Sequence, residues 1–204
     1  MISNITCPGQ TPKSPAKAFI IISLLITVFV TPSMAEDSYY WYDSGVKKGL
    51  HMDSELVADF DSASDEESAV RKANPNASRV KGQHGGTKLW KVASPKSAVK
   101  KSAAMKPGAG VSPVFREGGH PGGRIMSLPG NVVVFFKSDW SEQTVKDWVA
   151  AQNLEIVDKL NIGKNAYVIK TGPGLESLNL ANKLQESGEV ESATPNWWKP
   201  SQHR

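Results

Sequence analysis

Apolar positions along the chain fall into short runs separated by glycine, proline and charged residues, and the second half carries the cleaner pattern. Val132 to Phe136 is a β-branched and aromatic run, expected as a buried strand. Ser138 or Ser141 can cap a helix that continues through Gln152 with Val145, Trp148 and Val149 on its apolar face. Leu154 to Leu160 predicts a strand, Asn161-Ile162-Gly163-Lys164-Asn165 a turn, and Ala166 to Thr171 a further strand. After Gly172-Pro173-Gly174, the residues Leu175, Leu178, Ala181 and Leu184 recur at helical spacing. Gly188 then stands where a helix end favours a left-handed residue. Val190 to Trp198 closes the series as a strand. The order is βαββαβ, a split βαβ or ferredoxin-like unit.

The first half repeats that order. Leu56 to Phe60 reads as a strand, and Ser64-Asp65-Glu66-Glu67 as a capping box opening a short helix to about Ala73. Ser78 to Lys81 and Lys88 to Ala93 are strands joined through Gly82 and Gly85-Gly86. Ser94 before Pro95 starts a helix to about Lys106, stopped by Pro107-Gly108. Val111 to Arg116 closes the unit. A hairpin precedes each unit: Tyr39 to Tyr42 turns through Asp43-Ser44-Gly45 into Gly49 to Met52, and Val114 to Arg116 turns through a glycine-rich loop into Arg124 to Leu128. Aligning Leu56-Val57-Ala58-Asp59-Phe60 with Val132-Val133-Val134-Phe135-Phe136 gives an internal repeat of about 76 residues. Ser112-Pro113-Val114-Phe115 then falls opposite Thr194-Pro195-Asn196-Trp197. The expected fold is α+β, two tandem ferredoxin-like units with antiparallel sheets. Residues 36–116 form the first with its N-terminal hairpin, 117–123 a glycine-rich linker, and 124–204 the second with a C-terminal tail.

Residues 1–35 stand apart. Lys13 and Lys17 precede the apolar stretch Ala18 to Val30, and Ser33-Met34-Ala35 is an A-x-A-like cleavage site, the pattern of a secretory signal peptide. Secretion or a periplasmic location is expected from it. Cys7 would leave with that segment, so neither disulfides nor thiolate chemistry is expected of the mature chain. Removing Lys13 and Lys17 leaves 22 Lys and Arg against 20 Asp and Glu, a net charge of +2. Lys96, Lys100, Lys101 and Lys106 read as a solvated helix face, because nucleic-acid binding needs a basic stripe with stacking aromatics.

Enzyme chemistry finds no support. His51, His84, His120 and His203 are scattered without the spacing of a metal site. Asp65, Glu66 and Glu67 suit a helix N-terminus rather than a pair of carboxylates opposed across a cleft. No nucleophile elbow and no phosphate loop is present. No cofactor and no metal are expected.

The closing segment is the most specific feature. Val190-Glu191-Ser192-Ala193-Thr194-Pro195-Asn196-Trp197, with the strand Val132 to Phe136 and the strand ending Ala166-Tyr167-Val168-Ile169, resembles the propeptide and stand-alone inhibitor family of subtilisin-like serine proteases. The likeness covers about 70 residues of the second unit and extends weakly to the first. No Gly-Thr-Ser nucleophile motif accompanies it, and the glycine inserted in His84-Gly85-Gly86-Thr87 breaks any likeness to the family's histidine motif, leaving a hairpin turn.

The resemblance implies a binding protein. Family members lay a four-stranded sheet against two surface helices of the protease, and a C-terminal tail enters the cleft as an added strand. Here the tail would comprise Asn196, Trp197, Trp198, Lys199, Pro200, His203 and Arg204. Trp197 and Trp198 supply anchors, Pro200 lacks an N–H and opposes cleavage at its own bond, and His203 or Arg204 is offered to a primary pocket. Adjacent tryptophans in a strand face opposite ways, which predicts one in the core and one exposed. Read as a complete chain, the sequence stops six residues after Trp198, and inhibition or folding assistance in trans is the expectation. A non-enzymatic envelope adhesion or assembly module, and a detached propeptide, are the alternatives.

Overall fold

The computed structural model describes residues 38–82 and 86–200. The segment expected to be a signal peptide (1–35), His84 and the residues His203 and Arg204 lie outside them.

The chain opens with a hairpin whose strands are β1 (Tyr39–Asp43) and β2 (Val46–Asp59). Ser44 and Gly45 make its two-residue turn, both with positive φ (51° and 77°), as a type I′ turn requires. Strand β2 is far longer than the apolar run Leu56 to Phe60 suggested. The Asp53 carboxylate accepts the backbone N–H groups of Glu55 and Leu56, which lets the chain bulge between Met52 and Val57 and resume pairing.

Helix α1 (Ala69–Ala73) is shorter than expected. The Ser64 hydroxyl does accept the Glu67 N–H at 3.3 Å, but this closes only a turn. The helix begins at Ser68, whose hydroxyl caps it while donating to buried Asp59 at 2.5 Å. The acidic run 65–67 therefore sits before the helix, not in its first turn. Strands β3 (Ser78–Arg79) and β4 (Lys88–Lys91), helix α2 (Pro95–Met105) and strand β5 (Val111–Glu117) come next. Residues 118–123 turn the chain into β6 (Ile125–Ser127), which pairs with β5.

The remainder is β7 (Val132–Phe135), α3 (Glu142–Ala151), β8 (Ile156–Leu160), β9 (Ala166–Ile169), α4 (Leu175–Ser187) and β10 (Ser192–Pro195). Ser141 caps α3, and Gly188 ends α4 in the left-handed conformation. All pairings are antiparallel. One sheet runs β3-β4-β2-β5-β6 with β1 beside β2, and the other runs β10-β7-β9-β8. The molecule is thus α+β with antiparallel sheets and, among the described residues, four helices. From Ser38 onward they fall in one compact unit.

Alternation fixes which side each helix takes. In β5, Val111 joins the cluster under α1 and α2, and Phe115 joins one containing Leu178 of α4. Along the closing strand Ala193 joins the α3 and α4 cluster, and Trp197 meets Leu178 and Phe115. The helices therefore share one side of the two sheets. Helix α4 is buried twice, by Ala181 and Leu184 against the second sheet and by Leu178 against the first.

At the start of α3, Glu142 reaches Lys146 at 2.8 Å and Lys159 of β8 at 2.9 Å. Hydrogen bonds from Lys146 and then Lys159 hold its carboxyl far below the ordinary 4.5, at about 2. A depressed folded pKa stabilises above the unfolded value. The contribution of this exposed cluster is thus full above about pH 4.5 and disappears as pH falls towards 2. A carboxyl NMR titration of Glu142 should find its midpoint near 2, and Lys159→Met should move it upward.

Candidate functional site

Two features remain once the helix-facing cores are filled: the open sides of the sheets and the segment after β10. On the second sheet the open side carries Val133 and Phe135 of β7, Val168 of β9 and Leu160 of β8, all half-buried, with Ser192 and Thr194 of β10. The registers Thr194↔Val133↔Val168 and Ser192↔Phe135↔Ala166 set these side chains in two rows. Val157 at the β8 bulge and Ile162 in the turn after β8 are more than half exposed at its margin. No helix of the described residues covers this face. The open side of the first sheet is also apolar: Ala58, Leu89 and Val114 are buried at its centre, with Leu56, Phe60, Val80, Ile125 and Trp198 partly buried around them.

The closing segment does not extend freely. Asn196 is exposed and donates its N–H to the Asn131 carbonyl at 3.2 Å. Trp197 and Trp198 turn to opposite faces, as the alternation predicts, but neither is left exposed. Trp197 packs edge-on against Trp41 (ring centroids 5.3 Å apart) and Phe115 (6.0 Å). Trp198 packs against Phe60 at 6.0 Å. Trp198 also exchanges two backbone hydrogen bonds with Ser127: its N–H donates to the Ser127 carbonyl at 2.8 Å and its carbonyl accepts from Ser127 at 3.0 Å. The chain's own first sheet supplies the surface that both tryptophans cover.

Beyond them, Lys199 lies 3.6 Å from Glu117 and 5.5 Å from the centre of the Trp41 ring. Arg124 binds the other oxygen of Glu117 at 2.6 Å. The Arg124 hydrogen bond, seconded by the charge of Lys199, holds the Glu117 carboxyl below its usual range. Pro200 lines a shallow cleft with Arg124, Ile125 and Lys199.

The seat residues Trp41, Phe60, Phe115, Glu117 and Ser127 are not marked as such by the sequence. The one signal that points near them is the repeat, which sets Ser112 to Phe115 opposite Thr194 to Trp197. Trp148 of α3, expected on the apolar helix face, packs around Phe136 together with Trp140 from the turn before the helix.

Among the described residues no group of three or more His, Cys, Asp or Glu side chains could hold a metal, and no helix is long and apolar enough to cross a membrane. Lys96, Lys100, Lys101 and Lys106 lie exposed along α2 and just past its end.

No curated protein and no solved structure matches the chain. A family model does match residues 123–196, the stretch holding β6 through β10, and leaves β1 to β5 outside it. Its description is the fervidolysin N-terminal prodomain, a propeptide of the subtilisin-like protease type, and this stretch is similar to it.

Proposed function

We propose that the protein is a secreted or periplasmic partner of a subtilisin-like serine protease, acting as its inhibitor, its folding chaperone, or both. The observation that carries this reading is the match of residues 123–196 to a protease prodomain on a four-stranded sheet whose helix-free face is apolar. The open face rests on the protease, burying Val133, Phe135 and Val168. Both halves are ferredoxin-like units, spanning 36–116 and 124–204 and joined through 117–123. The strand orders support this: with β2 to β5 and β7 to β10 each numbered one to four, both sheets read 2-3-1-4 from one edge. The protein itself needs no cofactor, and neither nucleic acid nor membrane takes part.

The purified protein should slow peptide hydrolysis by members of a panel of bacterial subtilisin-like proteases, or restore their refolding, at micromolar concentration. Val133→Asp, which places a charge at the centre of the open face without touching the helix-side core, should weaken this at least about tenfold, the scale of a lost interface anchor. A panel that responds to a known propeptide but not to this protein would defeat the reading. The apolar open face of the first sheet, outside the matched segment, favours a second reading as an envelope assembly module. Binding to an envelope protein that survives Val133→Asp would support that one.

A further inference from the structure

We infer that the first sheet is a clamp that fixes the direction in which the chain leaves the second sheet, so that the closing segment through Trp198 is already ordered when the protein meets the protease. This rests on the proposed protease-binding reading and assigns the first half its part in it.

Trp198 and Ser127 donate to one another's carbonyls at 2.8 and 3.0 Å, a closed hydrogen-bonded pair of an antiparallel ladder. The closing segment therefore adds itself to the β6 edge of the first sheet. Side chains then hold that edge from both faces. Trp197 enters the cluster of Trp41, Leu50, Phe115, Met126 and Leu128, and Trp198 enters that of Ala58, Leu89 and Val114. Lys199 is drawn to Glu117, which Arg124 already holds. Two adjacent aromatic side chains on opposite faces, with a paired backbone between them, leave the segment little freedom to swing.

Trp197 and Trp198 are accordingly not protease anchors but positioning residues, since their rings are spent on the protein's own sheet. Any strand added to a protease cleft starts after Trp198. Every residue ordered before association is one the complex need not order afterwards, so the clamp improves affinity mainly by slowing dissociation.

The test has two arms on the full chain. In the first, hydrogen exchange is read at the amides of Trp198 and Ser127. Both should exchange at least about a hundredfold more slowly than an open peptide, the mark of a persistent bonded pair. Trp197→Ala and Trp198→Ala together should remove that protection while β7 and β9 amides keep theirs, and the double Phe replacement should restore it. Rapid exchange of Trp198 in the unaltered protein overturns the clamp outright, even if the alanine variant fails to fold.

In the second arm, inhibition is measured against whichever subtilisin-like protease the protein inhibits. The alanine pair should raise the inhibition constant about tenfold or more through faster dissociation, with recovery in the Phe pair. An unchanged constant beside lost protection overturns the pre-ordering role. If the unaltered protein inhibits no protease, the parent reading fails, and the exchange arm alone decides whether the clamp exists.

Discussion

Replacing Phe136 by alanine is expected to destabilise the protein by about 3–5 kcal/mol, the range for emptying a buried aromatic site. Phe136 is fully buried just past the end of β7. It stacks on Trp140 with ring centroids 5.8 Å apart and meets Trp148 and Tyr167 edge-on at 5.4 and 5.8 Å. Those three rings are fixed by other elements: Trp148 by α3, Tyr167 by β9, and Trp140 by the turn before α3, whose carbonyl accepts from Asn165 at 2.8 Å. None can move in to fill the space, so the cavity persists and the cost belongs at the upper end of the range. At about 2–4 °C per kcal/mol for a protein of this size, the melting temperature should fall by roughly 6–20 °C. Thermal melts followed by circular dichroism give the measurement, and Phe136→Leu should recover part of the loss. A shift below about 2 °C would mean that the aromatic cluster is not the feature holding α3 to the sheet.

Much of this cluster was legible in the sequence because its signals are local. Helix α4 declared itself through Leu178, Ala181 and Leu184 and ended at Gly188, as its left-handed φ of 66° requires. The turn at Ser44-Gly45 needed only two residues. Where local signals failed, a distant group had intervened. Ser64 and Glu67 have the spacing of a capping box, yet buried Asp59 gathers the hydroxyls of Ser62 and Ser68 and so moves the helix start to Ser68. Asp53-Ser54-Glu55 looked like an interruption between strands, but the carboxylate of Asp53 bridges the bulge and Arg116 pairs with it at 2.7 Å. The burial of Asn182 on α4 was likewise invisible, since its amide donates at 2.8 Å to the carbonyl of Tyr40 in the opening hairpin.

The candidate site divides the same way. Period-two alternation sends Trp197 and Trp198 to opposite faces, and this needs no knowledge of the fold. The cover over each face depends on β6 and on the hairpin, whose positions along the chain bear no relation to the closing segment. The open face of the second sheet was hidden for another reason. In Val132 to Phe136 every residue is apolar, so periodicity cannot separate Val133 and Phe135 on the open side from Val132, Val134 and Phe136 on the helix side. Antiparallel sheets with one free face normally alternate apolar with polar. A free face that remains apolar is the surface that the proposed protease contact would bury.

Trp90→Ala should cost a similar amount, about 3–5 kcal/mol, and it tests whether the halves melt together. Trp90 is fully buried in the central part of the first sheet, paired with Val57 on one side and Arg79 on the other. It belongs to the cluster beneath α1 and α2, separate from the second sheet's core. Its loss would leave the second half intact if the halves were independent. They are not arranged that way. Leu178 of α4 is buried among Trp41, Leu50, Phe115 and Leu128 of the first sheet and its hairpin. Tyr40 and Tyr42 both donate to Glu186 of α4, at 2.9 and 3.0 Å. Melting the first sheet would strip α4 of one of its two buried faces and release the Trp198 pair. A single transition is therefore expected, lowered by Trp90→Ala and by Phe136→Ala alike and coincident in far-ultraviolet dichroism and tryptophan fluorescence. The two sites share no partner, so the double variant should lose the sum of the single losses to within about 0.5 kcal/mol. A Trp90→Ala protein that melts in two steps, the later one at the unaltered temperature and removed by Phe136→Ala, would show that the second half stands alone and that α4 needs no support from the hairpin.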